Sequence, residues 1–132
     1  MVKETDALLV GGGDPSYLCY WMLQSGLADL LPSLRRETVC VVSAGSMVVA
    51  RNFETFGSNP PTGSDRALKL VDFSLLPHLD CLGFPENSLA NLKRLAAKTP
   101  EPTYAIDDQA AIRVNDGAVA VVSEGHWKLF TP

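Results

Sequence analysis

Ser43, His78 and the pair Asp107-Asp108 are the residues of this chain whose types and surroundings allow acyl-transfer chemistry. Ser43 opens Ser43-Ala44-Gly45-Ser46, which interrupts an apolar run from Val39 to Ala50. Val39 to Val42 suit a buried strand, and Ser46 to Ala50 can continue as a helix packed on a sheet. Ser43 therefore falls on a strand-to-helix elbow. Such a turn holds a serine hydroxyl clear of the sheet edge, with the first helical N–H groups pointing at whatever anion forms there. That is the geometry of a nucleophile; an ordinary helix N-cap is the alternative role for the same residue.

The other groups also fall at strand ends. Ala7 to Val10 is a short apolar strand running into Gly11-Gly12-Gly13-Asp14-Pro15-Ser16, after which Tyr17 to Gln24 is helical in pattern. Contiguous glycines match neither the dinucleotide fingerprint nor a P-loop, which needs a lysine. They let backbone approach another group closely, as an oxyanion hole or a tight turn requires. His78 follows Leu76-Pro77 at the end of an apolar stretch from Ala67, where it can act as a base. Asp107 and Asp108 follow the apolar Thr103-Tyr104-Ala105-Ile106, and one of them can orient a histidine while the other caps a turn.

The elements that must position these groups alternate in type. Helices are predicted at Tyr17 to Gln24, at Leu27 to Leu34, and at Asn87 to Lys98, where Leu89, Leu92, Leu95 and Ala96 face inward and Lys93, Arg94 and Lys98 outward. Arg35-Arg36-Glu37 is a polar turn. Arg51 to Arg66, rich in Asn, Ser, Gly and Pro, is a long loop of the kind that covers or contacts a substrate, with Phe53 and Phe56 as its anchors. Ala110 to Val114 and Ala118 to Ser123 flank Asn115-Asp116-Gly117 as a β-hairpin, and His126 to Phe130 is a last edge strand in which His126 packs beside Trp127. The fold class is α/β: three layers, a mostly parallel sheet flanked by helices, and a C-terminal β-hairpin.

Composition bounds the function. The 132 residues, 46% hydrophobic, suit a single domain spanning 1–132. A net charge of −4 with scattered Lys and Arg offers no nucleic-acid surface. No apolar run reaches the ~18 residues that span a bilayer, and the first residues lack a signal-peptide pattern, which predicts no membrane role and a cytoplasmic protein. Cys19, Cys40 and Cys81 have no C-x-x-C spacing and read as buried small hydrophobes; with only two histidines, no metal site is expected.

Val10-Gly11-Gly12-Gly13-Asp14, Ser43-Ala44-Gly45-Ser46-Met47, Leu76-Pro77-His78 and Tyr104-Ala105-Ile106-Asp107-Asp108-Gln109-Ala110 resemble, in the same order, the peptidase E and cyanophycinase family of serine peptidases. The resemblance implies a class I glutamine amidotransferase-like fold and hydrolysis of short peptides through an acyl-enzyme, without metal or cofactor. It implies Ser43 as nucleophile, His78 as general base and acid, Asp108 as third member with Asp107 the alternative, and an oxyanion hole from backbone N–H groups of Gly12, Gly13 and Ala44.

The chain departs from the family pattern in three ways. Val41 stands where the family has a glycine two before the serine, which crowds the turn. Glu86 to Asn91 lacks the arginine of members specific for an N-terminal aspartate, so Lys93 or Arg94 serves only if the helix turns it inward. The strands and helices that members place before the glycine loop are missing, which is expected to expose apolar surface and predicts a homodimer, with truncation of a longer parent as the rival explanation. A catalytically weak or inactive dimeric member acting as a binding or scaffold protein is the competing function. A cysteine-dependent amidotransferase is disfavoured, because serine holds the elbow and Cys40 lies three residues back in the strand.

Overall fold

The computed structural model describes residues 4–34, 38–53 and 67–132, and its chain forms two compact units, Met1–Leu70 and Val71–Pro132. In the first unit, β1 (Ala7–Val10) pairs in parallel with β2 (Thr38–Val41), with Val10 opposite Val41. Between them α1 (Pro15–Gln24) starts under an Asp14 carboxylate that accepts from Tyr17 N at 3.0 Å, with Pro15 in its first turn, where a missing N–H costs nothing. Gly26, at φ 79°, separates α1 from α2 (Leu27–Leu30). The single helix predicted to Leu34 tightens into a 3-10 turn at Leu31–Ser33, because Pro32 has no N–H to continue the α-helical ladder.

Val10, Cys19, Met22, Leu31, Met47, Val48 and Phe53 form the core of this unit, with Val41 among the half-buried residues packed on it. Among the described residues of this unit, the core packs on one face of the β1–β2 pair. Leu8 and Val10 alternate inward while Leu9 is 70% exposed, and Cys40 is exposed on β2. The expectation of three buried cysteines therefore fails at Cys40, since period-two alternation sends it, like Leu9, to the other face. Arg35-Arg36-Glu37 and residues 54–66 of the proposed covering loop, Phe56 included, lie outside the described residues. Phe53 is buried.

The strand expected from Ala67 is shorter. Leu68, Lys69 and Leu70 donate their backbone N–H groups to Val48, Ala50 and Val49, so that stretch belongs to the first unit and only Ser74–Leu76 forms β3. In the second unit β3 pairs in parallel with β4 (Thr103–Ile106), and β4 pairs antiparallel with β7 (Trp127–Phe130). β5 (Ala110–Asn115) and β6 (Ala118–Ser123) pair antiparallel across Asp116-Gly117, both at positive φ. Parallel and antiparallel pairings thus mix among the described strands, where a mostly parallel sheet is predicted.

In the second unit, helix α4 (Leu89–Ala96) is capped by Ser88, whose hydroxyl accepts from Asn91 N. Its buried stripe is Leu92 and Ala96 with Leu95 half-buried; Leu76, Leu79 and Ala105 complete the core. Leu89 is 45% exposed, so the inward face begins one turn later than its spacing suggests. His126 does not pack beside Trp127, for its imidazole is 90% exposed.

Candidate active site

Two short parallel pairings, one in each unit, bring the predicted residues together in two groups. In the first unit the glycine loop leaves the carboxyl end of β1 and the elbow leaves the carboxyl end of β2, so the register that sets Val10 opposite Val41 sets Gly12 beside Ser43. A Cβ at Gly12 would lie 3.2 Å from Ser43 Cβ and 3.3 Å from Ser43 Oγ.

Ser43 takes φ 53° and ψ −120°, a conformation that side chains avoid and that costs on the order of 1–3 kcal/mol. It stands immediately before α3 (Ala44–Val48), yet its side chain makes no capping bond to that helix. The N-cap alternative is thereby removed. Two neighbours hold the strained turn. Gly45 N donates to Gly11 O at 3.0 Å and Val42 O at 2.9 Å, and Ser46 Oγ donates to Ser43 O at 2.6 Å. The close approach leaves no room at Gly45, where a Cβ would meet Val10 O at 2.5 Å. Val41 does not prevent the elbow, since it points into the core from β2 and the turn begins two residues later.

In the second unit, Leu76 opposite Ala105 aligns the ends of β3 and β4, and the residues just beyond them meet. His78 Nδ1 lies 2.7 Å from Asp108 Oδ1, the imidazole being 21% exposed and the carboxylate 56%. His78 is at φ 62°, held on both sides. Buried Pro77 accepts at its carbonyl from Asn87 Nδ2 at 3.0 Å, and buried Leu79 donates its N–H to Ile106 O at 2.9 Å. The His78 ring stacks on Phe84, with centroids 4.2 Å apart.

Asp107 turns away to support the loop. Its Oδ1 accepts from Gln109 N at 2.9 Å and its Oδ2 from His126 N, and Gly125 lies so close that a Cβ there would strike the carboxylate. The two adjacent acids thus divide the tasks of turn support and imidazole contact.

Sequence reasoning missed Cys81. The half-buried thiol donates to Asp108 Oδ2 at 3.3 Å, so both carboxylate oxygens are engaged. Those two bonds, to His78 first and Cys81 second, hold the Asp108 carboxyl below its ordinary pKa. The signal was the His78-x-x-Cys81 spacing within one turn, closed by Cys81 N donating to His78 O at 3.2 Å. His78, Cys81 and Asp108 offer donor atoms within 4.8 Å of one another, and among the described residues they are the group that could hold a metal ion. Lys93 and Arg94 are exposed on α4, and Arg94 bonds Asn91, so neither is turned inward.

Comparison with known proteins matches this chain to one family. The curated peptidase E of Shewanella putrefaciens is 28% identical over 98% of this chain, and that of a second Shewanella species is 27% identical over the same share. The chain spans 58% of the length of either relative. Among solved structures, a Listeria monocytogenes protein assigned to peptidase E superposes with a TM-score of 0.72 at 22% identity, covering 94% of this chain and 62% of that one. A peptidase from an acI-B1 actinobacterium gives 0.68 at 19% identity, covering 98% and 58%. The fold is α/β and similar to these structures. The family model for peptidase family S51 matches residues 1–122, and the chain belongs to that family.

Proposed function

We propose that this chain carries the machinery of a serine peptidase that hydrolyses short peptides at their N-terminal residue, on a class I glutamine amidotransferase-like frame. The observation that carries the reading is the backbone of Ser43, held at φ 53° and ψ −120° against Gly12 with its hydroxyl not spent on capping α3. In the proposed reaction Ser43 Oγ attacks the scissile carbonyl, and its proton passes to His78 Nε2 while Nδ1–H donates to Asp108. Backbone N–H groups of Gly12, Gly13 and Ala44 receive the oxyanion. Collapse expels the amine, which takes the proton from Nε2; water then releases the acyl group from Ser43 by the same steps in reverse.

Exposed Lys93 and Arg94 give an acidic N-terminal side chain no partner from α4, so the proposed substrates are short peptides without a required N-terminal aspartate. We propose further that the enzyme acts in the cytoplasm and as a homodimer. The dimer is motivated by the apolar side chains left exposed in the first unit, Leu9 at 70%, Tyr17 at 60%, Trp21 at 57% and Val42 at 52%.

The test is a fluorophosphonate probe with the intact chain and with Ser43→Ala, alongside hydrolysis of a dipeptide panel. Stoichiometric labelling and turnover that both vanish in Ser43→Ala are expected. A folded protein that neither labels nor turns over the panel is the binding or scaffold protein of the competing reading.

A further inference from the structure

We infer that His78, Cys81 and Asp108 form a binding site for a thiophilic divalent cation of the zinc class, and that occupation of this site switches the peptidase off; the second half rests on the function proposed above. The donor set is one imidazole nitrogen, one thiol sulfur and one carboxylate oxygen, all within 4.8 Å of one another. Nitrogen and sulfur donors select zinc-class ions over magnesium or calcium, which take oxygen. Three protein ligands in a tetrahedral shell leave one position for water.

The site is built before any ion arrives. His78 Nδ1 already faces Asp108 Oδ1 at 2.7 Å, and Cys81 Sγ faces Oδ2 of the same carboxylate at 3.3 Å. Two donors share the turn closed by Cys81 N to His78 O, and the imidazole is fixed by its stack on Phe84. The groups are accessible, the carboxylate being 56% exposed.

The consequence for catalysis follows from proton accounting. An ion on Nδ1 and Sγ releases the thiol proton to solvent and takes the Nδ1 lone pair, so the single proton of the neutral imidazole passes through solvent from Nδ1 to Nε2. The imidazole stays neutral with its one proton on Nε2, so Nε2 has no lone pair to accept the Ser43 proton. The Asp108 hydrogen bond that orients the ring is lost in the same event.

Cobalt(II) is the probe, because a thiolate ligand gives it a charge-transfer absorption readable without turnover. The full chain should show this band, saturating at one ion per chain and abolished by added Zn2+. Cys81→Ser should lose the band and bind Zn2+ more than about 100-fold more weakly, beyond what loss of a supporting contact costs. Absence of the band in the native chain overturns the site, as does a band that survives Cys81→Ser, which would place the ion on exposed Cys40. Ser43→Ala should keep the band, so the site is read independently of the proposed reaction. In the native chain Zn2+ should abolish peptide hydrolysis over the concentration range in which it displaces cobalt. Hydrolysis that persists with the site filled overturns the switch.

Discussion

The imidazole of His78 lies on the ring of Phe84, centroids 4.2 Å apart and planes 10° from parallel, while its Nδ1 faces Asp108 Oδ1 at 2.7 Å. One contact fixes the plane of the ring and the other its rotation. Phe84 is 40% exposed, so it is held in the loop more by this stack than by a core.

Phe84→Ala should therefore loosen the imidazole without unfolding the unit. An aromatic pair is worth about 0.5–1.5 kcal/mol beyond its buried area, which corresponds to roughly a two- to twelve-fold fall in kcat/KM if the whole contact orients the base. Phe84→Tyr should restore activity. Steady-state kinetics on the hydrolysed dipeptide, with circular dichroism as the fold control, checks this.

Asp107 and Asp108 should separate cleanly. Asp108→Asn keeps the shape but removes the charge facing His78, and hydrolysis should fall by about 10⁴-fold with little loss of stability. Asp107→Asn weakens two backbone bonds to a charged acceptor, each worth about 1.5–3 kcal/mol, so its urea midpoint should drop while residual activity at low temperature stays near native. Reversal of the two phenotypes would move the role proposed for Asp108 to Asp107.

Gly45→Ala should destabilise, although Gly to Ala inside a helix ordinarily stabilises by up to about 1 kcal/mol. The new methyl would sit 2.5 Å from Val10 O and 2.9 Å from Gly11 O, both backbone atoms that cannot rotate away. An overpacking cost of about 1–3 kcal/mol is expected, read as a lower urea midpoint, with fluorophosphonate labelling of Ser43 lost in parallel.

The Asp108 carboxyl is held below its ordinary value by its bonds to His78 and Cys81, so folding favours its ionised form. The stability this adds is complete above the unfolded carboxylate pKa of about 3.9 and is lost as pH falls through the lower folded value. At 56% exposure the contribution is that of a screened pair, about 0–1 kcal/mol. Acid titration of stability should show a smaller decline between pH 5 and 2 in Asp108→Asn than in the native chain.

How much was legible depended on how local the cause was. The strand-to-helix turn at Ser43 was readable because an apolar run broken by Ser-Ala-Gly has few ways to continue. The turn at Asp116-Gly117 was equally local, resting on positive φ values that its own residues favour. The placement of His78 just past a buried strand followed from Leu76-Pro77. Boundaries failed where a distant partner intervened, as when Leu68 to Leu70 spent their N–H groups on the end of α3 and shortened β3.

By itself, then, the order of residues determined the alternation of strands and helices, the strand ends that carry serine, histidine and acid, and the family. Tertiary structure decided which of two adjacent acids meets the imidazole, that Cys81 shares its carboxylate, and that Leu9 and Cys40 face outward. Those outcomes turn on the register of β3 against β4 and on which face of β1 and β2 the helices cover. Both are set by contacts between segments tens of residues apart, and no local spacing encodes them.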